Sequence, residues 1–134
     1  MKLPLQYITA FIVFCHGFVY VWIGSALPAQ IPAWKGVSWL FGDLVTGSPL
    51  NALVIALHLI AGAGIIAAAA AIVFGPWMPG WWRPFAIGGA TVGIVAFAVF
   101  WDGQRQQLFE EGAIGALVSA ALLIGAMLYP RTFD

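Results

Sequence analysis

Apolar residues in this chain do not alternate with polar ones; they run together in four long stretches, about 5–27, 50–74, 85–101 and 113–129. A bilayer hydrocarbon core about 30 Å thick needs roughly 20 mostly apolar residues of helix to cross it. Strands of a membrane barrel would read as segments of about ten residues with polar positions at every second place, and no such segments are visible. The pattern therefore predicts four membrane-spanning α-helices. Prolines mark their ends: Pro28 and Pro32 follow the first, Ser48-Pro49 opens the second and Gly75-Pro76 closes it. Pro84 precedes the third and Pro130 stops the fourth. Proline lacks the N–H that a helix interior requires but is tolerated in the first turn. The third stretch is short and is expected to borrow a turn from the Trp82 or the Asp102 side.

Composition sharpens the class. Of 134 residues, 63% are hydrophobic and 7% charged, with a mean hydropathy of +0.99. Soluble domains carry about 25% charged residues, which cover a surface facing water. A soluble enzyme, a disordered chain and a disulfide scaffold are excluded. A net charge of zero offers no basic patch for phosphates, so nucleic acid is not an expected partner. The fold class is an all-α integral membrane protein, an antiparallel four-helix transmembrane bundle in a single domain. The lipid bilayer is its expected partner, with a homo-oligomer or a larger membrane complex open beside it.

Lys2, Arg83 and Arg131 fall on one side of this topology, Lys35 and Arg105 on the other. The three-to-two bias puts both termini in the cytoplasm and the protein in the cell's inner membrane. Trp77, Trp81 and Trp82 cluster at one interface, and Trp34, Trp39 and Trp101 at the other, as aromatic belts. The loop 28–49 is apolar enough to lie in the interface, either as an ordinary loop or as a short capping helix around Gly36 to Phe41. Asp102, Glu110 and Glu111 read as solvated loop charges, with Asp102 and Arg105 spaced as an i,i+3 pair. The first stretch is too long for the apolar region of a cleaved signal peptide and reads as a retained span. Cys15, the one cysteine, excludes an intramolecular disulfide and reads as a small buried hydrophobe.

Helices in lipid associate through small residues and a few polar contacts. The second span offers Ala63, Ala67 and Ala71, the third Gly89 and Gly93, and the fourth Gly112, Ala116 and Ala120, with Gly115 and Ser119 one step round. These are the expected packing seams.

An ionisable residue within a span is a functional hypothesis by default. Two occur, His16 in the first span and His58 in the second. His16 lies about 16 Å before the end of the first span and His58 about 14 Å after the start of the second, at 1.5 Å per residue, so antiparallel packing brings both to similar depth from the same face. Gln6, Thr9, His16 and Tyr20 share one helical stripe, and Asn51 and His58 form a matching pair seven residues apart. Three roles stay open: hydrogen-bonded glue fixing the register; axial ligation of a haem or chlorophyll; or, with Tyr20, a pocket for a small molecule or quinone headgroup, or a proton relay. Zinc would want three or four ligands, which the spacing does not supply. No nucleophile elbow, phosphate-binding loop or dinucleotide motif occurs. The function expected is noncatalytic: an accessory subunit, or a bundle holding a lipid, quinone or other small hydrophobic molecule. The alternative is a haem- or chlorophyll-binding electron-transfer or photosynthetic subunit using His16, His58 or both.

Three marks carry a resemblance: the pair His16-Gly17 midway along the first span, the run Trp81-Trp82-Arg83-Pro84 before the third, and Trp101-Asp102 closing it. With these the chain resembles the small bacterial four-span membrane proteins of the DoxX type. That family often carries a second histidine four places after the first, where this chain has Tyr20. The resemblance implies fold and topology, and no activity.

Overall fold

The computed structural model of the chain describes residues 2–27, 34–75, 77–108 and 112–129. It is all-helical there: α1 (Lys2–Ala26), α2 (Gly47–Val73), α3 (Trp82–Phe100), a 3-10 turn (Arg105–Gln107) and α4 (Ala113–Leu128). Three helices, α1 to α3, are long and apolar enough to cross a membrane. The fourth is apolar but has 16 residues, about 24 Å of helix.

Proline helps to set where the long helices begin. Pro4, Pro49 and Pro84 are each the third residue of their helix. The first four N–H groups of a helix have no partner within it, so a missing donor there costs nothing. The turn that the third stretch was expected to borrow lies on the Trp82 side, where α3 begins. Pro28, Pro32, Pro76 and Pro130 lie outside the described residues, as do Glu110, Glu111 and Arg131.

Each helix packs against the next in sequence. Along the α1–α2 seam, Gln6 Nε2 donates to the carbonyl of Ile72, Gly17 meets Gly62 and Ile66, and Gly24 meets His58 and Leu59. The helix surfaces remain apolar outside these seams: Leu5, Phe11, Ile12, Trp22, Ile60, Ile114 and Leu117 are all exposed. A helix that is apolar all round suits hydrocarbon rather than water.

The tight packing is on glycines. A Cβ on Gly62 would lie 2.8 Å from the carbonyl oxygen of Gly17, and one on Gly64 would lie 2.9 Å from Cα of Gly89. Of the alanines expected in the α2 seam, Ala71 is buried in the core, Ala67 is half-buried and Ala63 is exposed, its neighbour Gly62 making the close contact instead. Gly89 and Gly93 are buried in α3, and Ala116 is half-buried in α4. Gly112 has a different use. Its φ of 102° places it in the left-handed region at the start of α4, where a side chain would be strained.

Other expectations are corrected. Cys15 is exposed on α1 rather than buried. Trp82 is 3% exposed and belongs to the core cluster with Tyr20, Ile65 and Ala86, while Trp77 and Trp81 stay outside. An indole at a helix start can be recruited by packing as readily as by an interface. Of the two alternatives open for the loop, residues 36–41 take the ordinary one, forming turns closed by an isolated bridge between Ser38 and Gly42. Asp102 is not a solvated loop charge: its side chain is 3% accessible and lies 3.1 Å from Lys35 Nζ.

Candidate functional site

Four polar residues from three helices gather in one cluster: His16 and Tyr20 of α1, His58 of α2 and Ser119 of α4. On α1, His16 and Tyr20 are one turn apart and turn the same way, their rings 5.2 Å apart edge to face. On α4, Ser119 is completely buried. Its hydroxyl lies 2.9 Å from His16 Nε2 and 3.0 Å from the Tyr20 hydroxyl. A hydroxyl can donate one hydrogen bond and accept two. Tyr20 O–H can therefore donate to Ser119, which donates to His16 Nε2; with His16 protonated at Nε2 the chain of donation runs the other way. The first direction uses both hydroxyl protons within the node, whereas the second leaves the Tyr20 O–H without an acceptor there.

This three-residue node is possible because α3 gives way beside it. A Cβ on Gly93 would lie 2.8 Å from the Tyr20 hydroxyl and 3.0 Å from Ser119 Oγ. The second glycine of the Gly89–Gly93 pair thus makes room for a side-chain hydrogen bond rather than for another backbone.

His58 joins the same cluster through Tyr20, with ring centroids 5.7 Å apart. It is buried, and its Nδ1–H donates to the Val54 carbonyl one turn back at 2.8 Å. A carbonyl only accepts, so the proton sits on Nδ1 and a neutral ring leaves Nε2 as an acceptor. That nitrogen has no hydrogen-bond partner among the described residues. On its other side His58 meets Phe100 edge to face at 5.6 Å. Phe100 stacks on Trp34 at 5.0 Å, and Trp34 Nε1 donates to Asn51 Oδ1 at 2.8 Å. A continuous row of contacts thus runs from the loop after α1 to the middle of the helices: Asn51, Trp34, Phe100, His58, Tyr20, and then His16 with Ser119.

The two histidines expected to meet are linked through Tyr20. The remaining stripe residues disperse: Gln6 serves the far end of α2, Thr9 donates to its own helix at Leu5, and Asn51 serves Trp34. Ser119 was assigned only to packing, although a lone hydroxyl within an apolar helix is a signal that a partner must exist. No group of three metal-binding side chains occurs among the described residues. An apolar groove of about 370 Å³ lies between α1 and α2, walled by Tyr7, Phe11, Phe14 and Phe74 over Ala70, and neither histidine lines it.

Two histidines ligating one haem do not fit this arrangement, because His16 Nε2 is engaged by Ser119 and the Tyr20 ring contacts both imidazoles. Comparison with known proteins finds no matching family model, no matching curated protein and no matching solved structure.

Proposed function

We propose that the chain is a four-span antiparallel bundle of the cell's inner membrane, with both termini in the cytoplasm, acting without catalysis as an accessory subunit. The observation that carries this reading is the closed node of His16, Tyr20 and Ser119. In the node the polar groups of His16, Tyr20 and Ser119 are spent on bonds between α1 and α4, which is the work of interhelical glue, while His58 bonds its own helix at Val54. The opposed register of α1 and α2, from Gln6 at Ile72 to Gly24 at His58, supports the antiparallel arrangement. Kinship with the DoxX-type proteins is part of the proposal. In support, each mark has physical work: Gly17 touches α2, Trp82 enters the core, Arg83 Nε donates to Ala126 of α4, and Asp102 pairs with Lys35. Affinity capture of the tagged full-length protein in mild detergent tests the accessory role. A stoichiometric membrane partner is expected, and a protein that runs alone at its monomer mass overturns it.

A second reading has one observation in its favour. A histidine that ligates iron through Nε2 commonly gives its Nδ1–H to a backbone carbonyl, as His58 does to Val54. In that case His58 alone would hold a haem, and His16 would stay with Ser119. The visible spectrum of the purified protein decides this. A Soret band abolished by His58→Ala and kept by His16→Ala establishes it, and a colourless preparation removes it.

A further inference from the structure

The groove between α1 and α2 is shaped as a slot. Tyr7, Phe11 and Phe14 form its wall on α1, and Phe74, which caps the end of α2, belongs to the other wall. Ala10 and Ala69, both buried, make the floor, while the four aromatic residues are exposed. At 3.6 residues per turn, those of α1 lie on the face roughly opposite His16, which is the residue that reaches α4. Among the described residues α2 is the only helix packed extensively on α1. The slot therefore opens sideways, on the flank of two helices long and apolar enough to cross a membrane. From Tyr7 to Phe14 it runs seven residues, about 10 Å of helix.

Polarity changes along its length. Tyr7 supplies the one polar side-chain group among the lining residues and stands nearest the start of α1. At the same end the Trp77 N–H donates to the Phe74 carbonyl at 2.8 Å, and Trp77 is 86% exposed, as suits an indole at headgroup depth. Lys2 precedes Tyr7 by five residues, about 7.5 Å of helix. Among the described residues this end also carries Arg83 at the start of α3, whereas both carboxylates, Asp43 and Asp102, lie at the opposite end.

An occupant that matches is apolar for about 10 Å and anionic beyond it. The cavity of about 370 Å³ is at the small end of those that hold single ligands, and a helix, about 10–12 Å across, would lie over it rather than in it. An acyl chain already in lipid gains nothing from leaving water. Its retention rests on dispersion contact with the rings and floor and on charge at the mouth.

We propose that the slot holds one acyl chain of an anionic phospholipid, with the ester region at Tyr7 and the headgroup on the side of Lys2. The site is separate from the histidine cluster and stands whichever role that cluster has.

The test is native mass spectrometry of the full-length protein in mild detergent, supplied with equal amounts of phosphatidylglycerol and phosphatidylcholine of the same acyl chains. The wild type retains one phosphatidylglycerol in preference to phosphatidylcholine. Ala70 is an exposed lining residue one turn before Phe74; Ala70→Phe fills the slot and abolishes retention. Phe11→Ala removes an exposed wall and weakens it. Lys2→Gln lowers the preference for phosphatidylglycerol by about fivefold, the contribution of one lysine near an anionic lipid surface. Leu117→Phe, at an exposed position on α4, binds as the wild type does. The proposal is overturned by equal retention of both lipids in the wild type, by unchanged retention in Ala70→Phe or Phe11→Ala, or by Lys2→Gln keeping the full preference. A wild-type dimer dispersed by Ala70→Phe also overturns it, since a second copy would then cover the slot.

Discussion

The hydroxyl of Ser119 lies 2.9 Å from Nε2 of His16, joining the last helix to the first across 103 residues of chain. Since α4 otherwise packs against α3, this bond and its companion to Tyr20 are side-chain ties that hold α4 to α1. Ser119→Ala removes both and strands a buried tyrosine hydroxyl. A loss of about 1–3 kcal/mol is expected from leaving such groups unsatisfied. Thermal unfolding in detergent, followed by circular dichroism, measures it. A variant as stable as the wild type would show that the node contributes nothing to holding the helices together.

Two glycines in adjacent helices make opposite predictions for the same substitution. At Gly62 a Cβ would meet Val21 Cγ2 at 2.6 Å and the Gly17 carbonyl at 2.8 Å, and backbone cannot swing aside as a side chain can. Gly62→Ala should therefore cost about 1–3 kcal/mol, as overpacking does. At Gly88 nothing lies within 4 Å. Gly88→Ala should be neutral or stabilising by about 0.5–1 kcal/mol through helix propensity. If both variants melt together, the α1–α2 contact is looser than the distances indicate.

How much of this was legible beforehand depends on what each residue answers to. The three long helices follow from run length and proline alone, because hydrocarbon imposes one demand on every position. Seam residues are harder: Ala63 and Gly62 are neighbours of nearly equal suitability, and only the rotation of α2 decides that Gly62 turns toward α1 while Ala63 is exposed. The histidines stood out because they are ionisable. Ser119 did not, since serine is common among small seam residues and its partners are about a hundred positions away. Lys35 and Asp102 lie in different loops, and a pair 67 residues apart leaves no periodic trace.

Arg83 has an assignment that can be tested apart from topology. It sits in the first turn of α3 and gives its Nε–H to the Ala126 carbonyl at 3.0 Å. Ala126 is in the last turn of α4, where carbonyls lack helical partners and the helix end carries partial negative charge. Arg83→Met should cost about 1–2 kcal/mol, the value of a hydrogen bond from a charged donor. The loss should appear first as fraying at the end of α4. Hydrogen exchange of amides near Ala126 is the suitable readout. Exchange that is unchanged there, or raised evenly in all helices, would remove the cap from the account.

Whether α4 crosses the membrane is the point on which the bundle turns. Its 16 residues span about 24 Å, short of a core about 30 Å thick, so spanning requires local thinning of the bilayer or a contribution from flanking residues such as Tyr129. Its bonds to His16 and Tyr20, near the middle of α1, favour insertion at the same depth. Four crossings place the C-terminus opposite the loop that holds Gly36; three place them on the same side. Reporter fusions at Asp134 and within the loop at Gly36 should therefore give opposite signals, the first cytoplasmic and the second external. Matching signals would leave α4 on the membrane surface, where it could not meet His16 at the centre of α1.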